Sequence, residues 1–453
     1  MTSTPTLASL AADLAAGKTS SRTLLEACLE RIDDPDGEGQ RTFLHVDRDA
    51  ARAQANAMDL LRANGATPSP YAGIPISLKD LFDIAGQVTR AGSKVLAQQP
   101  AAAQDAMSVA RLRAAGFVFV GRTNMSEFAF TGLGVNPHYG TPRNPWQRPR
   151  DHSGGRIPGG SSSGAAISVT DAMAHAALGT DTGGSCRIPA AFTGLVGYKP
   201  TARRVPRHGA IPLSPSLDSI GPIARSVACC ATLDAVLANE APPDLSERPI
   251  AGLRFAVPKT LVLENLDAAV AAHFARSLSR LSAAGVRIEE IHIPELAHIP
   301  DINAKGGLSA AESWAWHRPL IERDAAGYDR RVLTRIQRGA TQSAADYIEL
   351  VAARDTFIAT VGRAMARFDA LVLPTTPIVA PRLEELEQDE DFFRINALVL
   401  RNPAVINLLD GCAISIPDHE EGEPPTGLML ACAGGQDSLL FRYAAAAEGV
   451  VRR

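Results

Sequence analysis

The chain has 453 residues, 45% hydrophobic and 21% charged, with a formal net charge of −4. That is the composition of a globular protein, and the length admits two or three domains or one large α/β unit. There is no block of one charge sign to suggest a nucleic-acid or membrane surface, no apolar run near the roughly 18 residues of a membrane helix, and no signal-peptide pattern at Met1–Pro5.

Leu7, Leu10 and Leu14, then Leu24, Leu25, Cys28, Leu29 and Ile32, recur at helical spacing. They predict two helices over 6–36, with Thr19-Ser-Ser21 as the start signal between them. An Ala-rich helix is predicted over 47–64. Glycine and proline then become dense between about 70 and 225. Within that stretch a helix over 105–115 precedes a buried strand at Gly116–Gly121, and Ala165 to about Thr180 reads as a helix of small residues packed on a sheet. Residues 236–250, rich in proline and charge, read as a linker or surface loop. A strand–helix–strand unit follows: Leu253–Val257, a helix near 265–284, and Val286–Ile293. Residues 307–368 read as mostly helical. Asp369–Pro374, Cys412–Pro417 and Gly427–Cys432 read as buried strands, and 437–451 as a closing helix. Strand alternating with helix over the whole length predicts an α/β layered architecture around a central sheet. Periodicity does not say whether that sheet is parallel or mixed.

None of the six cysteines forms a C-x-x-C pair, and most lie in apolar stretches. Buried free thiols in a reducing cytoplasm are the expectation. His292 and His298 stand six apart across a proline, and no H-E-x-x-H occurs, so no metal site is predicted. Trp314, Trp316 and His317 form an aromatic cluster on a predicted helix, read as core or surface packing ahead of a pocket wall.

The chemistry concentrates in two glycine-rich turns. Pro158-Gly-Gly-Ser-Ser-Ser-Gly164 carries Ser161, and Gly179-Thr-Asp-Thr-Gly-Gly-Ser-Cys-Arg187 carries Ser185. A serine hydroxyl needs a base to become a nucleophile. His152 in Asp151-His-Ser-Gly154 reads better as part of a polar loop. Lysine serves if burial holds it neutral, and Lys79 ends the apolar run Ile74-Pro-Ile-Ser-Leu. The competing reading pairs Lys79 with Asp80 or Asp83 at a strand end. Thr182-Gly-Gly-Ser185 can turn sharply and expose consecutive N–H groups, as an oxyanion requires. A phosphate cradle lacks its Gly-Lys-Ser/Thr ending. Gly160-Ser-Ser-Ser-Gly164 also matches G-x-S-x-G around Ser162, but no predicted strand feeds that turn.

These residues resemble the amidase signature family of serine hydrolases. The match covers most of the chain and is densest between about 70 and 235. It includes Gly73-Ile-Pro-Ile-Ser-Leu-Lys-Asp80, Thr89-Arg-Ala-Gly-Ser93, Gly121-Arg-Thr-Asn-Met-Ser-Glu-Phe-Ala129 and Asn144-Pro-Trp146. It continues through both serine turns, Gly194-Leu-Val-Gly-Tyr-Lys-Pro-Thr201 and Ser216-Leu-Asp-Ser-Ile-Gly-Pro222. The resemblance implies one α/β/α domain over 1–453 around a large mixed sheet. Its parts would be a helical segment at 1–65, a signature core at 70–235, and variable helices with closing strands at 250–453. It implies a Ser-cisSer-Lys triad: Ser185 as nucleophile, Ser161 as proton bridge on a cis peptide, Lys79 as base. Thr182, Gly183, Gly184 and Ser185 would supply oxyanion N–H groups, with Ser162, Asp181 and Arg187 supporting the loops. No metal or organic cofactor is implied.

The implied function is hydrolysis of the C–N bond of a small carboxamide through a seryl acyl-enzyme. The alternatives are the glutaminase subunit of a tRNA-dependent amidotransferase and, more remotely, a catalytically dead binding protein. A small-molecule amide is the expected partner, with no direct nucleic acid and no membrane. A homodimer is the oligomer the resemblance allows. The pocket is expected from 130–155 and 300–400. Residues 147–156 are longer than the family pattern and are expected to reshape the entrance. Asn407-Leu-Leu-Asp-Gly-Cys-Ala413 departs from the family's more usual Asn-Leu-Ala-Gly-Leu-Pro and places Asp410, with no ligand assigned, near the pocket.

Overall fold

The computed structural model describes residues 5–149, 154–246 and 250–452. Eleven strands build one sheet. They are β1 (Phe43–His45), β2 (Pro75–Lys79), β3 (Val118–Thr123), β4 (Ala176–Asp181), β5 (Val196–Lys199) and β6 (Ser219–Ala224), then β7 (Arg254–Pro258), β8 (Arg287–Ile291), β9 (Ala370–Pro374), β10 (Cys412–Pro417) and β11 (Gly427–Cys432). Their order is β1-β3-β2-β4-β6-β5-β10-β11-β9-β7-β8. β2 runs parallel to β3 and β4, and β7 parallel to β8 and β9, while the pairs between β4 and β9 are antiparallel. The sheet is therefore mixed.

Helices cover both of its faces, because successive strand residues point to opposite sides. Phe255 and Val257, Ile414 and Ile416, and Leu428 and Leu430 pack on one face against helices Leu7–Ala15, Val227–Ala238, Ala268–Ala283 and Asp437–Val451. Their neighbours Ala256, Ala413, Met429 and Ala431 meet helices Ala344–Met365 and Asp389–Leu408 on the other. With both faces covered, β10 and β11 are buried along their whole length. That explains why they read as continuous apolar runs and not as alternation. The architecture is α/β/α.

Helix ends follow local chemistry. Ser20, within the start signal, caps helix Ser21–Asp33 by accepting the Thr23 N–H. The expected helix from Ala165 to about Thr180 is a correction. The helix runs only Ser163–Thr170, Ala172 takes a left-handed backbone with φ 57°, and the chain enters β4. Small residues there reflect close packing in the sheet, which overrides the helix preference of alanine. A Cβ on Gly179 would lie 2.9 Å from Ser162 Oγ and 3.1 Å from Cys186 Sγ. β5, β6 and helix Asp389–Leu408 carry no distinctive period and are not predicted as elements. The 236–250 loop begins only after helix Val227–Ala238, and residues 247–249 lie outside the described residues. All six cysteines are buried free thiols.

Candidate active site

Three segments converge at the carboxyl ends of β2 and β4, where open α/β sheets place their ligands. The two strands lie parallel with Leu78 opposite Leu178. Lys79 ends β2 and is fully buried. Its Nζ donates to Ser161 Oγ and to Thr180 Oγ1, each at 2.7 Å. The Asp80 and Asp83 pairing does not form. Asp80 accepts from Arg122 Nε at 2.6 Å and Asp83 from Thr89 Oγ1 at 2.7 Å. Burial pushes the Lys79 amine down to about 8, against the opposing pull of Cys186, Asp181 and Asp218.

The first serine turn is held by backbone contacts too close for side chains. The Gly160–Ser161 peptide is cis. A Cβ on Gly160 would sit 2.5 Å from Gly134 N. The Ser161 carbonyl accepts the Ser126 N–H at 3.1 Å. Ser162 donates its N–H to the Ser185 carbonyl at 3.3 Å, which ties the two serine turns together, and its Oγ to the Thr180 carbonyl at 3.3 Å. Among the described residues no strand precedes this turn, only an isolated bridge between Arg156 and Arg382. The elbow that G-x-S-x-G would need around Ser162 is absent.

The second turn is organised by Asp181, which is fully buried. Arg187 grips its carboxylate with two bonds, at 3.0 Å and 2.8 Å. Asn407 Nδ2 adds a bond at 2.9 Å, and the N–H groups of Gly184 and Cys186 add bonds at 2.9 Å and 3.1 Å. Burial alone would push this carboxyl up. The Arg187 charge and the converging donors overcome burial and hold it well below the usual carboxylate range. The Gly184 N–H is thus committed to Asp181, a correction to its expected place among the oxyanion donors. Gly183 and Ser185 carry N–H groups with no acceptor among the described residues. Thr182 Oγ1 donates to Asp218 Oδ1 at 2.5 Å. Burial pushes Asp218 up to about 6 despite that bond and those from the Ser214 and Leu213 N–H groups.

Ser185 is 4% exposed and opens on a cavity of about 390 Å³. Thr131, Leu213, Leu217, Arg335, Leu400 and Asn407 are among its walls. The 300–400 segment contributes as expected, joined by 401–408 and by residues from 213 to 300. The described part of 147–156 does not line this cavity. Arg156 instead stacks on Trp146, with its guanidinium carbon 4.2 Å from the ring centroid, and donates to the Ala380 carbonyl. His152 and its neighbours at 150–153 lie outside the described residues. Asp410 faces away, accepting from the Ala202 N–H and pairing with Arg203 at 3.5 Å. Trp316 and His317 pack edge-on at 4.6 Å, and His317 meets Phe128 at 4.4 Å. No cluster of metal-ligating side chains occurs among the described residues. No helix among them is long and apolar enough to cross a membrane.

Thr180, Asp218 and Asn407 belong to this site although their sequence positions alone assign them no role. Thr180 and Asp218 sit inside the motifs quoted above, and only strand register brings them to Lys79 and Thr182.

The amidase family profile matches residues 23–441. The chain is 35% identical to the 2-amino-5-chloromuconic acid deaminase of Comamonas testosteroni, over 88% of this chain and 86% of that one. It is 33% identical to a subunit of the glutamyl-tRNA(Gln) amidotransferase of Paenarthrobacter aurescens (strain TC1), over 98% and 92% of the two chains. Among solved structures, an amidase superposes with a TM-score of 0.88 at 32% identity, covering 99% of this chain and all of the other. The converging turns, the mixed sheet and these likenesses place the chain in the amidase signature family, as a hydrolase of amide C–N bonds.

Proposed function

We propose that the chain cleaves small carboxamides through an acyl-enzyme on Ser185, with Ser161 and Lys79 as its proton relay. The observation that carries this reading is the 2.7 Å bond from a buried lysine, lowered to about 8, to Ser161 beside the turn that bears Ser185. Neutral Lys79 takes the Ser161 proton as Ser161 takes that of Ser185. The Ser185 oxygen attacks the amide carbonyl and forms a tetrahedral oxyanion. The free N–H groups of Gly183 and Ser185 stabilise that charge, a contribution of about 3 kcal/mol per donor in comparable sites. Thr182, pinned through its hydroxyl to Asp218, holds the turn beside them. The proton returns through Ser161 to the departing nitrogen, the C–N bond breaks, and ammonia or an amine leaves. Water then attacks the ester with the same relay as base, regenerating Ser185 and releasing the acid.

A second reading, the glutaminase subunit of a tRNA-dependent amidotransferase, has the support of the amidotransferase relative. Turnover of simple amides by the isolated chain favours the first reading, and glutaminase activity only with an added partner favours the second.

Labelling the purified chain with a fluorophosphonate and mapping the adduct tests the mechanism. One adduct on Ser185, lost in Lys79→Ala, is expected. An adduct on Ser162, or labelling that survives Lys79→Ala unchanged, overturns the relay.

A further inference from the structure

The cavity that opens on Ser185 is electrostatically one-sided. Arg335, Arg338 and Arg401 line it, and among the described residues no aspartate or glutamate does. None of the three has an ion-pair partner among the described residues. Arg335 donates one N–H to the Phe130 carbonyl and lies over the Phe130 ring, 5.2 Å from its centroid. Arg338 donates to the Ala304 carbonyl at 2.9 Å. Arg401 donates to Asn402 Oδ1 at 3.1 Å and to the Val262 carbonyl at 3.3 Å, and feels Glu264 only through space. A guanidinium has five N–H donors, so each keeps most of them unused by the protein.

A guanidinium group stays charged in proteins. Burial, reinforced by the Arg338 charge, pushes Arg335 down to about 10, the direction expected of a cation whose counter-charge is missing. Arg335 and Arg401 are half-buried and Arg338 is exposed, so an anion bound among them offsets the partial desolvation of the first two. A carboxylate matches the fork of a guanidinium with two parallel bonds. Leu213, Leu261, Ile299 and Leu400 supply apolar wall in the same cavity as these charges and Ser185.

We propose that Arg335, Arg338 and Arg401 receive an anionic end of the substrate, so that the preferred amides carry a carboxylate on a short apolar chain. The inference rests on the assignment of this cavity to the Ser185 reaction.

The test compares ω-carboxy amides with the corresponding diamides, from succinamate against succinamide to pimelamate against pimelamide, on the full chain. The best carboxylate is expected to exceed its diamide at least tenfold in kcat/KM. That ratio should fall toward one in Arg338→Ala and Arg401→Ala, recover in part in Arg401→Lys, and shrink as sodium chloride rises from 50 to 500 mM. A ratio near or below one in the wild type, or one that neither variant nor salt changes, overturns the proposal. If Ser185 takes no fluorophosphonate and no amide turns over, the reaction assignment fails separately. Calorimetry with adipate then decides the cavity. Binding that both variants weaken at least tenfold supports it, and no binding overturns it. The salt series on the wild type keeps the test decisive if a variant does not fold.

Discussion

Lys79 Nζ lies 2.7 Å from Ser161 Oγ although 82 positions separate the two residues. The amine has a second bond, to Thr180 Oγ1, and no carboxylate in contact among the described residues. It is surrounded by what a base needs: hydroxyls to exchange protons with, and burial to favour its neutral form.

The pH profile follows from that environment. With the amine lowered to about 8, most of the base is protonated at pH 6 and most is free at pH 9. The value of kcat/KM should rise with pH, bend near 8 and reach a plateau above it. Initial rates across pH 6–9.5 check this, and a flat profile would falsify the role of Lys79 as base.

The same burial affects stability. The amine titrates near 10.5 when unperturbed and about 8 in the fold. Between those values the unfolded chain binds a proton that the folded chain does not, so this group makes stability rise with pH across that window. Below about 8 the full deficit remains, of order 3 kcal/mol at most. Relative to Lys79→Met, the wild type should gain stability from pH 8 to 10.5. Urea unfolding of both proteins at each pH measures the difference, and parallel curves would contradict it.

Arg187→Met tests the second turn. It leaves Asp181 buried without its bidentate partner, a loss of about 3–5 kcal/mol in such pairs. Unfolding should shift to markedly lower urea. Where the variant still folds, Ser185 labelling should slow at least tenfold, because the carboxylate that accepts the Gly184 and Cys186 N–H groups loses the guanidinium that fixes its position. Wild-type labelling would show that the turn holds its shape without this pair.

Two adjacent glycines give a contrast. Gly184 has φ 127°, and a Cβ there would lie 2.6 Å from both Ile188 Cδ1 and Pro403 Cβ. Gly184→Ala should displace the turn, lower Tm by several degrees and cut labelling at least 100-fold. The nearest atom to a Cβ on Gly183 is Leu400 Cδ2, at 3.5 Å, an ordinary contact. Gly183→Ala should therefore leave Tm within a degree or two. Thermal unfolding of the pair is the measurement, and equal Tm losses would count against this account.

Strands buried on both faces were the most legible part of the fold. The expected bounds of β10, β11 and the closing helix Asp437–Val451 agree with those observed. Small residues were the least legible. Ala176, Ala177 and Gly179 lie in a stretch that suits a helix by its alanine content, and only pairing with β2 and β6 makes it a strand. The serines and glycines of the site stood out by density. Their partners did not, because Thr180 reaches Lys79 through strand register and Asn407 reaches Asp181 from 226 positions away. The Gly184 N–H illustrates the same limit: a glycine run announces a turn, but not which of its donors a carboxylate will occupy.

Helix Asp389–Leu408 presents Ala397, Leu400, Arg401 and Ala404 to the cavity at helical spacing, and Asn407 one turn further on. Asn407 also donates to Asp181 and accepts from Arg187 at 2.6 Å. One face of one helix therefore carries two kinds of position. Ala397, Arg401 and Ala404 make no hydrogen bond to the Ser185 turn and can be exchanged to admit differently shaped amides, whereas Leu400 lies against that turn, its Cδ2 3.5 Å from where a Cβ on Gly183 would sit. Asn407 cannot be exchanged, because it is a strut of that turn as well as a wall of the chamber. A library built to retarget this enzyme should randomise 397, 401 and 404 and leave 400 and 407 fixed.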